Sequence, residues 1–135
     1  MSAVKDLDQM LSALRPELRP GRYVFTTPEK PLPLTSQPIM TFAEDEGCTA
    51  ILAAEEADKL GLPYELVLAW ITLQVNSALD GVGLTAAVSA VLADAGIACN
   101  IVAAARHDHL FVPVSSADEA LQLLRALSRK SGQLD

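Results

Sequence analysis

Apolar and polar residues alternate over the later part of residues 66–75 (LVLAWITLQV), which is the pattern of a β-strand with two different faces. One face carries Ala69, Ile71, Leu73 and Val75, and the other carries Trp70, Thr72 and Gln74. After two glycines the period changes to that of a helix over residues 84–95, because the apolar positions now form one stripe. Gly96 predicts a left-handed end to this helix, with Ile97 packed back onto Leu92.

The rest of the second half predicts a hairpin and a second helix. Residues 97–105 and 110–114 are two strands around the polar turn Arg106-His107-Asp108. Ser116-Ala117-Asp118-Glu119 is a capping box, and it begins a helix with Leu121, Leu124 and Leu127 facing inward. The predicted order is therefore strand, helix, strand, strand, helix.

The first half predicts shorter elements. Ser2 is expected to cap a helix that Pro16 ends and whose apolar positions follow helical spacing, namely Val4, Leu7, Met10, Leu11 and Leu14. Residues 23–27 predict a strand, and four prolines within residues 28–38 predict an extended connection. Residues 39–42 and 49–53 predict a hairpin around the acidic turn Glu44-Asp45-Glu46-Gly47, and residues 55–60 predict a short helix.

The two halves contain an internal repeat. Residues 51–60 (ILAAEEADKL) and 111–120 (FVPVSSADEA) are each a short apolar strand that runs into the start of a helix. Upstream, the first helix and the Tyr23 strand match the helix of residues 84–95 and the Ile97 strand. We therefore predict two copies of one unit, residues 1–64 and 65–135, joined by the strand of residues 66–75. The first copy is expected to lack its opening strand and the second its closing strand, with residues 39–42 supplying the second unit's fourth strand.

Composition narrows the class of function. The chain has 135 residues, half of them hydrophobic, which suits one compact domain or two small modules that share a core. Its formal charge of −7 repels phosphate backbones, so no nucleic-acid partner is expected. It has no run of about 18 apolar residues and no signal-peptide core at its start, so we expect a cytoplasmic protein with no membrane partner.

The turn DGVG, residues 80–83, is open to three explanations: a phosphate cradle, a tight structural turn and an amino-acid pocket. It lacks the spacing and the lysine of a P-loop. A dinucleotide site would place an acid about twenty residues later, where Asn100 and Ile101 stand, and the hairpin that follows breaks the βαβ pattern. Nucleotide binding is therefore disfavoured, whereas a structural turn and a binding pocket both stay open.

Other polar groups receive structural interpretations. The segment Arg106-His107-Asp108-His109 has the chemistry to grip a metal, but we interpret it as a solvated hairpin turn. Glu44-Asp45-Glu46 is interpreted as a charged hairpin tip, and Cys48 and Cys99 as core thiols. Because no nucleophile elbow, Cys–His pair or HExxH motif is present, we expect no catalytic activity, no metal and no cofactor.

Residues 66–128 strongly resemble an ACT domain, a small-ligand regulatory module of amino-acid metabolism, and the first half resembles one more weakly. The resemblance is carried by the turn before the first helix, by LADAGI at that helix's end and by VPVSSADEALQLLRAL at the close. It implies an α+β fold of two ferredoxin-like βαββαβ units, two ACT-like copies that share an antiparallel sheet with helices on one face.

The resemblance also implies a site. In aspartokinase-type ACT domains, amino acids bind at the seam between two units, against the turn after one unit's first strand and the second strand of its neighbour. Carried onto this chain, the ligand-binding residues are Asn76, Ser77, Asp80, Gly81, Val82, Gly83, Leu84, Asn100 and Ile101. Glycines allow close approach of a ligand, and the N–H groups that begin a helix favour a carboxylate. Asp80 is expected to pair with the ammonium group.

Two functions follow from these observations. The first is a regulatory module that binds a small molecule, expected to be an amino acid, as a homodimer without catalytic activity. The alternative is a purely structural, protein-interaction module with no ligand. In that case the chain would dimerise through its sheet edges and the Trp70 face, because unpaired strand edges seek partners.

Overall fold

A computed structural model describes residue 3 and residues 5–132. In that part of the chain, the helices and strands follow the predicted order, except for a short strand at Pro16–Leu18 that the sequence pattern did not predict. The last helix is preceded by the short 3₁₀ turn Val114–Ser116. The elements are α1 (Leu7–Ser12), β1 (Pro16–Leu18), β2 (Tyr23–Thr26), β3 (Met40–Glu44), β4 (Gly47–Ala53), α2 (Ala54–Lys59), β5 (Leu68–Leu73), α3 (Leu84–Asp94), β6 (Asn100–Ala103), β7 (Asp108–Pro113) and α4 (Ala117–Gly132).

The strands form one antiparallel sheet in the order β3-β4-β2-β5-β7-β6. Strand β5 pairs with β7 along its whole length. The other edge of β5 is shared by two strands. Strand β1 pairs with residues 71–73 at the end of β5, whereas β2 pairs with β5 only at Tyr23 and Leu68. The expectation that both halves share one continuous sheet is therefore confirmed.

The strand order also shows how the two halves correspond. In the second half, β5 lies next to β7, the later strand of its hairpin, and β6 lies at the edge. In the first half, β2 lies next to β4 and β3 lies at the edge, which is the same arrangement. Strand β2 of the first unit therefore corresponds to β5 of the second unit. Strand β5 also serves as the last strand of the first unit, because it pairs with β2.

Two sequence predictions about the repeat were wrong. The Tyr23 strand matches β5 rather than β6, so the first half has its opening strand and lacks the helix that follows it. Residues 28–38 stand in that helix's place, since proline lacks the N–H group that a helix interior needs. The strand that completes the second unit beside β5 is β1, whereas residues 39–42 lie beside β4, at the β3 edge of the sheet.

All the described helices pack on one face of the sheet, as predicted. The larger core cluster joins α1, α3 and α4 to the inward side chains of β5 and β7, such as Ile71 and Leu110. A smaller cluster joins Ala54 and Ala57 of α2 to Val24 and to β4. The other face carries an aromatic group instead, which includes Tyr23, Phe25, Trp70 and Phe111.

The ends of α1 and α3 differ in how well the sequence predicts them. The expected cap Ser2 and the apolar position Val4 lie outside the described residues, and α1 is capped by Asp6, whose carboxylate accepts from the Gln9 N–H at 3.0 Å. The end of α3 is as predicted. Gly96 has a φ of 73°, and the Ile97 N–H donates to the Leu92 carbonyl at 2.9 Å.

The two cysteines are not both core thiols. Cys99 packs partly buried against the larger core, and burial raises its pKa to about 11. Cys48 is exposed, so the prediction was wrong for this residue. The reason is its position, since it lies in β4 directly after the hairpin tip, opposite Ala43 of edge strand β3.

Candidate functional site

The glycine turn lies between β5 and the start of α3, and the chain's own packing accounts for both glycines. Gly83 is the N-cap of α3 with a φ of 104°, a conformation that other residues rarely adopt. A Cβ atom at Gly83 would stand 3.0 Å from Cδ2 of Leu7, and one at Gly81 would stand 3.2 Å from the Ala78 carbonyl oxygen. Of the explanations left open by the sequence, the tight structural turn therefore has direct geometric support.

The same turn also forms one wall of a cavity of about 530 Å³. The first three residues of α3 line this cavity. The N-cap residue Gly83 has no side chain that could accept a hydrogen bond from their N–H groups. Ala103 and Asp108, which pair across the β6–β7 hairpin, also line the cavity. The cavity thus joins the positive end of a helix to a carboxylate.

Asp108 is the carboxylate of this cavity, and it is only 7% exposed. Burial raises its pKa, while the Ser77 side chain and the charge of His107 act in the opposite direction. The interpretation of residues 106–109 as a solvated turn was wrong for Asp108, because strand β7 already begins there and packs it inward. The available sequence signal was that Asp108, Leu110 and Val112 occupy alternate positions of one strand and therefore share its inward side.

Asp80 has a different environment from the one expected. Its side chain is 70% exposed, and its carboxylate lies 2.8 Å from Nζ of Lys5. The hydrogen bond and the charge of Lys5 hold the pKa of Asp80 below its usual range. Asp80 is also absent from the lining of the cavity, so the structure does not place it where it would meet a ligand there.

The nine predicted site residues are only partly brought together. Ser77, Gly81, Val82, Gly83 and Leu84 line the cavity. Asn76 precedes them in the same loop, and Asp80 points to Lys5. Asn100 and Ile101 lie toward the far end of β6 from Ala103. Sequence reasoning missed Met10, Ala103 and Asp108, which the tertiary fold adds to the lining.

A second cavity of about 800 Å³ opens on the face of the sheet that carries no described helix. Its lining includes Phe25, Met40 and Phe42 from the first half, and Leu68 and Asn100 from the second. Asn100 therefore lies in a different cavity from the glycine turn, and Ile101 packs against the larger core. Within one copy of the chain, the predicted site residues are therefore not brought together in one place.

A network of hydrogen bonds joins four side chains on the face of the sheet that carries no described helix. Nε of Arg19 donates to Oγ1 of Thr72 at 3.0 Å, and that hydroxyl lies 3.1 Å from Nδ1 of His109. Nε1 of Trp70 donates to the same Nδ1 at 3.1 Å. Because an indole N–H can only donate, Nδ1 must accept, so His109 is neutral and carries its proton on Nε2. His109 thus has a structural role that the solvated-turn interpretation did not include.

The stability that His109 contributes is expected to fall as the pH is lowered below 6.5. Burial and the charges of Arg19 and His107 lower the pKa of His109 from its ordinary value of 6.5. The unfolded chain therefore takes up this proton first, and the contribution of neutral His109 is lost as the pH falls from 6.5 through the folded pKa. Since the ring is half-exposed, we expect less than about 1 kcal/mol.

Urea unfolding of the parent chain and of His109→Gln at pH 7.5 and 5.5 measures this contribution. The difference between the two proteins should shrink at the lower pH, because protonation breaks the Trp70 hydrogen bond in the parent. His107→Gln is the matched control, since it removes the neighbouring imidazole and leaves the Trp70 contact intact. Parallel pH dependence in the parent and His109→Gln would show that His109 does not contribute.

Comparisons with known proteins agree with this fold. ACT domain family models match residues 2–69 and residues 65–126. The chain belongs to the ACT-domain family. ACT domains are regulatory, ligand-binding modules, often for amino acids, and this chain carries two of them in tandem. The two matches overlap at residues 65–69, where β5, the strand that both ACT units share, begins. No curated protein matches the chain.

Solved structures give the same fold. A protein of unknown function from Vibrio cholerae, described as a possible transport protein, is 43% identical with a TM-score of 0.82, over 94% of this chain and 99% of that one. The regulatory subunit of aspartate kinase from Thermus thermophilus, in a ligand-free form, is 10% identical with a TM-score of 0.63, over 85% and 97%. A protein from Agrobacterium tumefaciens is 16% identical with a TM-score of 0.68, over 84% and 87%. Across the described residues, no helix has the length and apolar character needed to cross a bilayer.

Proposed function

We propose that this ACT-domain protein is a cytoplasmic regulatory module that binds an amino acid and has no catalytic activity of its own. Residues 1–64 and 65–135 are the proposed ACT units, and the ligand occupies the cavity beneath the glycine turn. The observation that carries the proposal is the pairing of a buried carboxylate, Asp108, with the uncapped start of α3 in one cavity. An amino acid carries an ammonium group that complements the Asp108 carboxylate and a carboxylate that complements the N–H groups at the helix start.

The roles of the two ends follow from their charges. The carboxylate of the ligand would accept from the N–H groups of Leu84 and Thr85, where the helix dipole favours a negative charge. The ammonium group would pair with Asp108, assisted by the Ser77 hydroxyl. The turn of Gly81, Val82 and Gly83 would allow the ligand to approach the backbone closely. Asp108 would thus pair with the ammonium group, which is the role first expected for Asp80.

The strand β6 supports a homodimer as the active form. It ends the strand order, so one of its edges is unpaired within the described chain. Antiparallel pairing of two β6 strands would run Asn100 and Ile101 of a second copy alongside the end at Ala103, which lines the cavity. The ligand would then lie at a seam between ACT units, and Asn100 and Ile101 would enter the site from the second copy.

A thermal-shift panel of the twenty amino acids tests the proposal. A ligand at 100 times its dissociation constant should stabilise the folded protein by about 2.7 kcal/mol. Asp108→Asn should weaken binding about tenfold or more, because it removes a charge-assisted hydrogen bond of roughly 1.5–3 kcal/mol. Asp80→Asn is the matched control, since Asp80 faces Lys5 outside the cavity, and its affinity should be unchanged.

Two outcomes would count against the proposal. A flat panel at millimolar concentration, with a stable dimer, would favour the structural interaction module instead. Loss of binding in Asp80→Asn, with normal binding in Asp108→Asn, would show that the ammonium group binds at Asp80 on the exposed turn.

A further inference from the structure

The cavity of about 800 Å³, on the face of the sheet that carries no described helix, lies where the two ACT units meet. Strands β2 and β5 pair only at Tyr23 and Leu68, so the two halves of the sheet separate beyond that point. The sheet curls around the gap, because Phe42 of edge strand β3 and Asn100 of edge strand β6 line the same space. Its volume of about 800 Å³ lies within the range of about 300–1,000 Å³ that is usual for small-molecule sites.

The walls of this cavity are mainly apolar. Phe25, Met40 and Leu68 come from the strands, and two large side chains are left open to solvent. Phe42 is 62% exposed and Leu66 is 59% exposed. Large apolar side chains that share a concave surface are typical of a binding site. The shape and the apolar lining therefore fit a ligand with an apolar body.

The charged groups of the lining are all acidic. Glu44 and Glu65 line the cavity, and none of the Lys, Arg and His residues that the structure describes does so. A smaller adjoining cavity of about 470 Å³ shares Glu44 and adds the carboxylates of Glu29 and Glu46. The Glu44 carboxylate accepts from the Thr49 hydroxyl, which fixes its position at the junction of the two cavities. An anion would be repelled there, whereas a cation would find several carboxylates.

We propose that this cavity binds a small organic cation, a primary amine carried on an apolar or aromatic body. The apolar part would pack against Phe42 and Leu68, and the ammonium group would lie toward Glu44. This site is separate from the proposed amino-acid site, because within one copy the linings of the two cavities have no residue in common. A second copy of the chain is a poorer occupant, since a two-fold contact over this cavity would bring the acidic groups of both copies together in a chain of charge −7.

Calorimetric titration with 4-phenylbutylamine at pH 7.5 tests the inference. The amine is expected to bind saturably with one molecule for each chain. The uncharged 4-phenylbutanol, which keeps the apolar body, should bind about tenfold more weakly or worse, and 4-phenylbutyrate should not bind. Equal binding of the amine and the acid, or no saturation at millimolar amine, would overturn the proposal.

Variants locate the site and separate it from the glycine turn. Phe42→Ala and Glu44→Gln should each weaken amine binding about tenfold, and neither should lower stability greatly, because Phe42 is mostly exposed. Leu79→Ala is the matched control for Phe42→Ala, since it removes an exposed apolar side chain, 73% exposed, on the turn. It should bind the amine normally.

The remaining controls decide between occupants. Asp108→Asn should bind the amine normally even if it loses an amino acid, so failure of either site is recognised independently. Unchanged affinity in Phe42→Ala and Glu44→Gln would place the amine elsewhere and overturn the proposal. Sedimentation of Phe42→Glu completes the test, since a dimer that this change dissociates would show that a second copy covers the cavity.

Discussion

Residues 66–135 expressed alone are expected not to fold into a cooperative, soluble monomer. The second ACT unit takes its completing strand, β1, from the first half of the chain. It also takes α1, whose Met10, Leu11 and Leu14 are buried in the same cluster as Ile71 and Leu124. Each such side chain contributes about 1.5–3 kcal/mol on burial. The summed loss, roughly 5–9 kcal/mol, is comparable to the whole stability of a typical domain, about 5–15 kcal/mol.

Backbone hydrogen bonds point to the same result. The Arg19 N–H donates to the Trp70 carbonyl at 2.8 Å, and the Gln74 N–H donates to the Arg15 carbonyl at 3.2 Å. Without the first half, this edge of β5 is left unpaired, and such an edge favours aggregation. The measurement is thermal unfolding by circular dichroism together with size-exclusion chromatography.

The matched control supplies the missing elements as a separate chain. Co-expression of residues 1–65 with residues 66–135 should restore a soluble complex with a cooperative transition, because it restores β1 and α1 without the covalent link. A soluble, cooperative monomer of residues 66–135 by itself would contradict the shared architecture.

The sequence predicts most elements of this fold because their patterns are local. The alternation around Trp70 and the Gly96 stop signal each depend on neighbouring residues, and both are confirmed. The pairing of the two halves is not local. The strand that completes the second unit is β1, only three residues long, with little pattern of its own. Its place beside β5 follows from tertiary packing, which sequence spacing does not report.

The candidate site likewise combines a feature that local sequence predicts with one that depends on tertiary packing. The glycine turn is recognisable in the sequence because left-handed backbone and close packing both need glycine. From the sequence, the carboxylate expected to pair with the ligand was that of Asp80, the acid nearest to the glycines. The fold instead brings Asp108 to the cavity from the β6–β7 hairpin. Lys5, which pairs with Asp80, is 75 residues away in the chain. The nearest acid in sequence was therefore a poor guide to the nearest acid in space.

Gly83→Val is expected to destabilise the protein by roughly 2–6 kcal/mol. A residue other than glycine held at a φ of 104° costs about 1–3 kcal/mol, and a β-branched side chain is among the worst suited to it. The side chain would also collide with Leu7, whose Cδ2 atom lies 3.0 Å from the position of a Cβ, and overpacking of this kind costs typically about 1–3 kcal/mol. Urea unfolding gives the free energy directly.

Gly96→Val is the matched control, because it separates backbone strain from the collision. Gly96 also has a positive φ, 73°, but a Cβ there would meet nothing within 4 Å. Gly96→Val should therefore show the backbone cost alone, and Gly83→Val should exceed it by the packing cost, about 1–3 kcal/mol. Leu7→Ala should recover part of that excess in the Gly83→Val background and none in the Gly96→Val background. Equal destabilisation by the two valine substitutions, with no recovery, would show that Leu7 does not constrain the turn and that the glycine at position 83 serves its backbone angle alone.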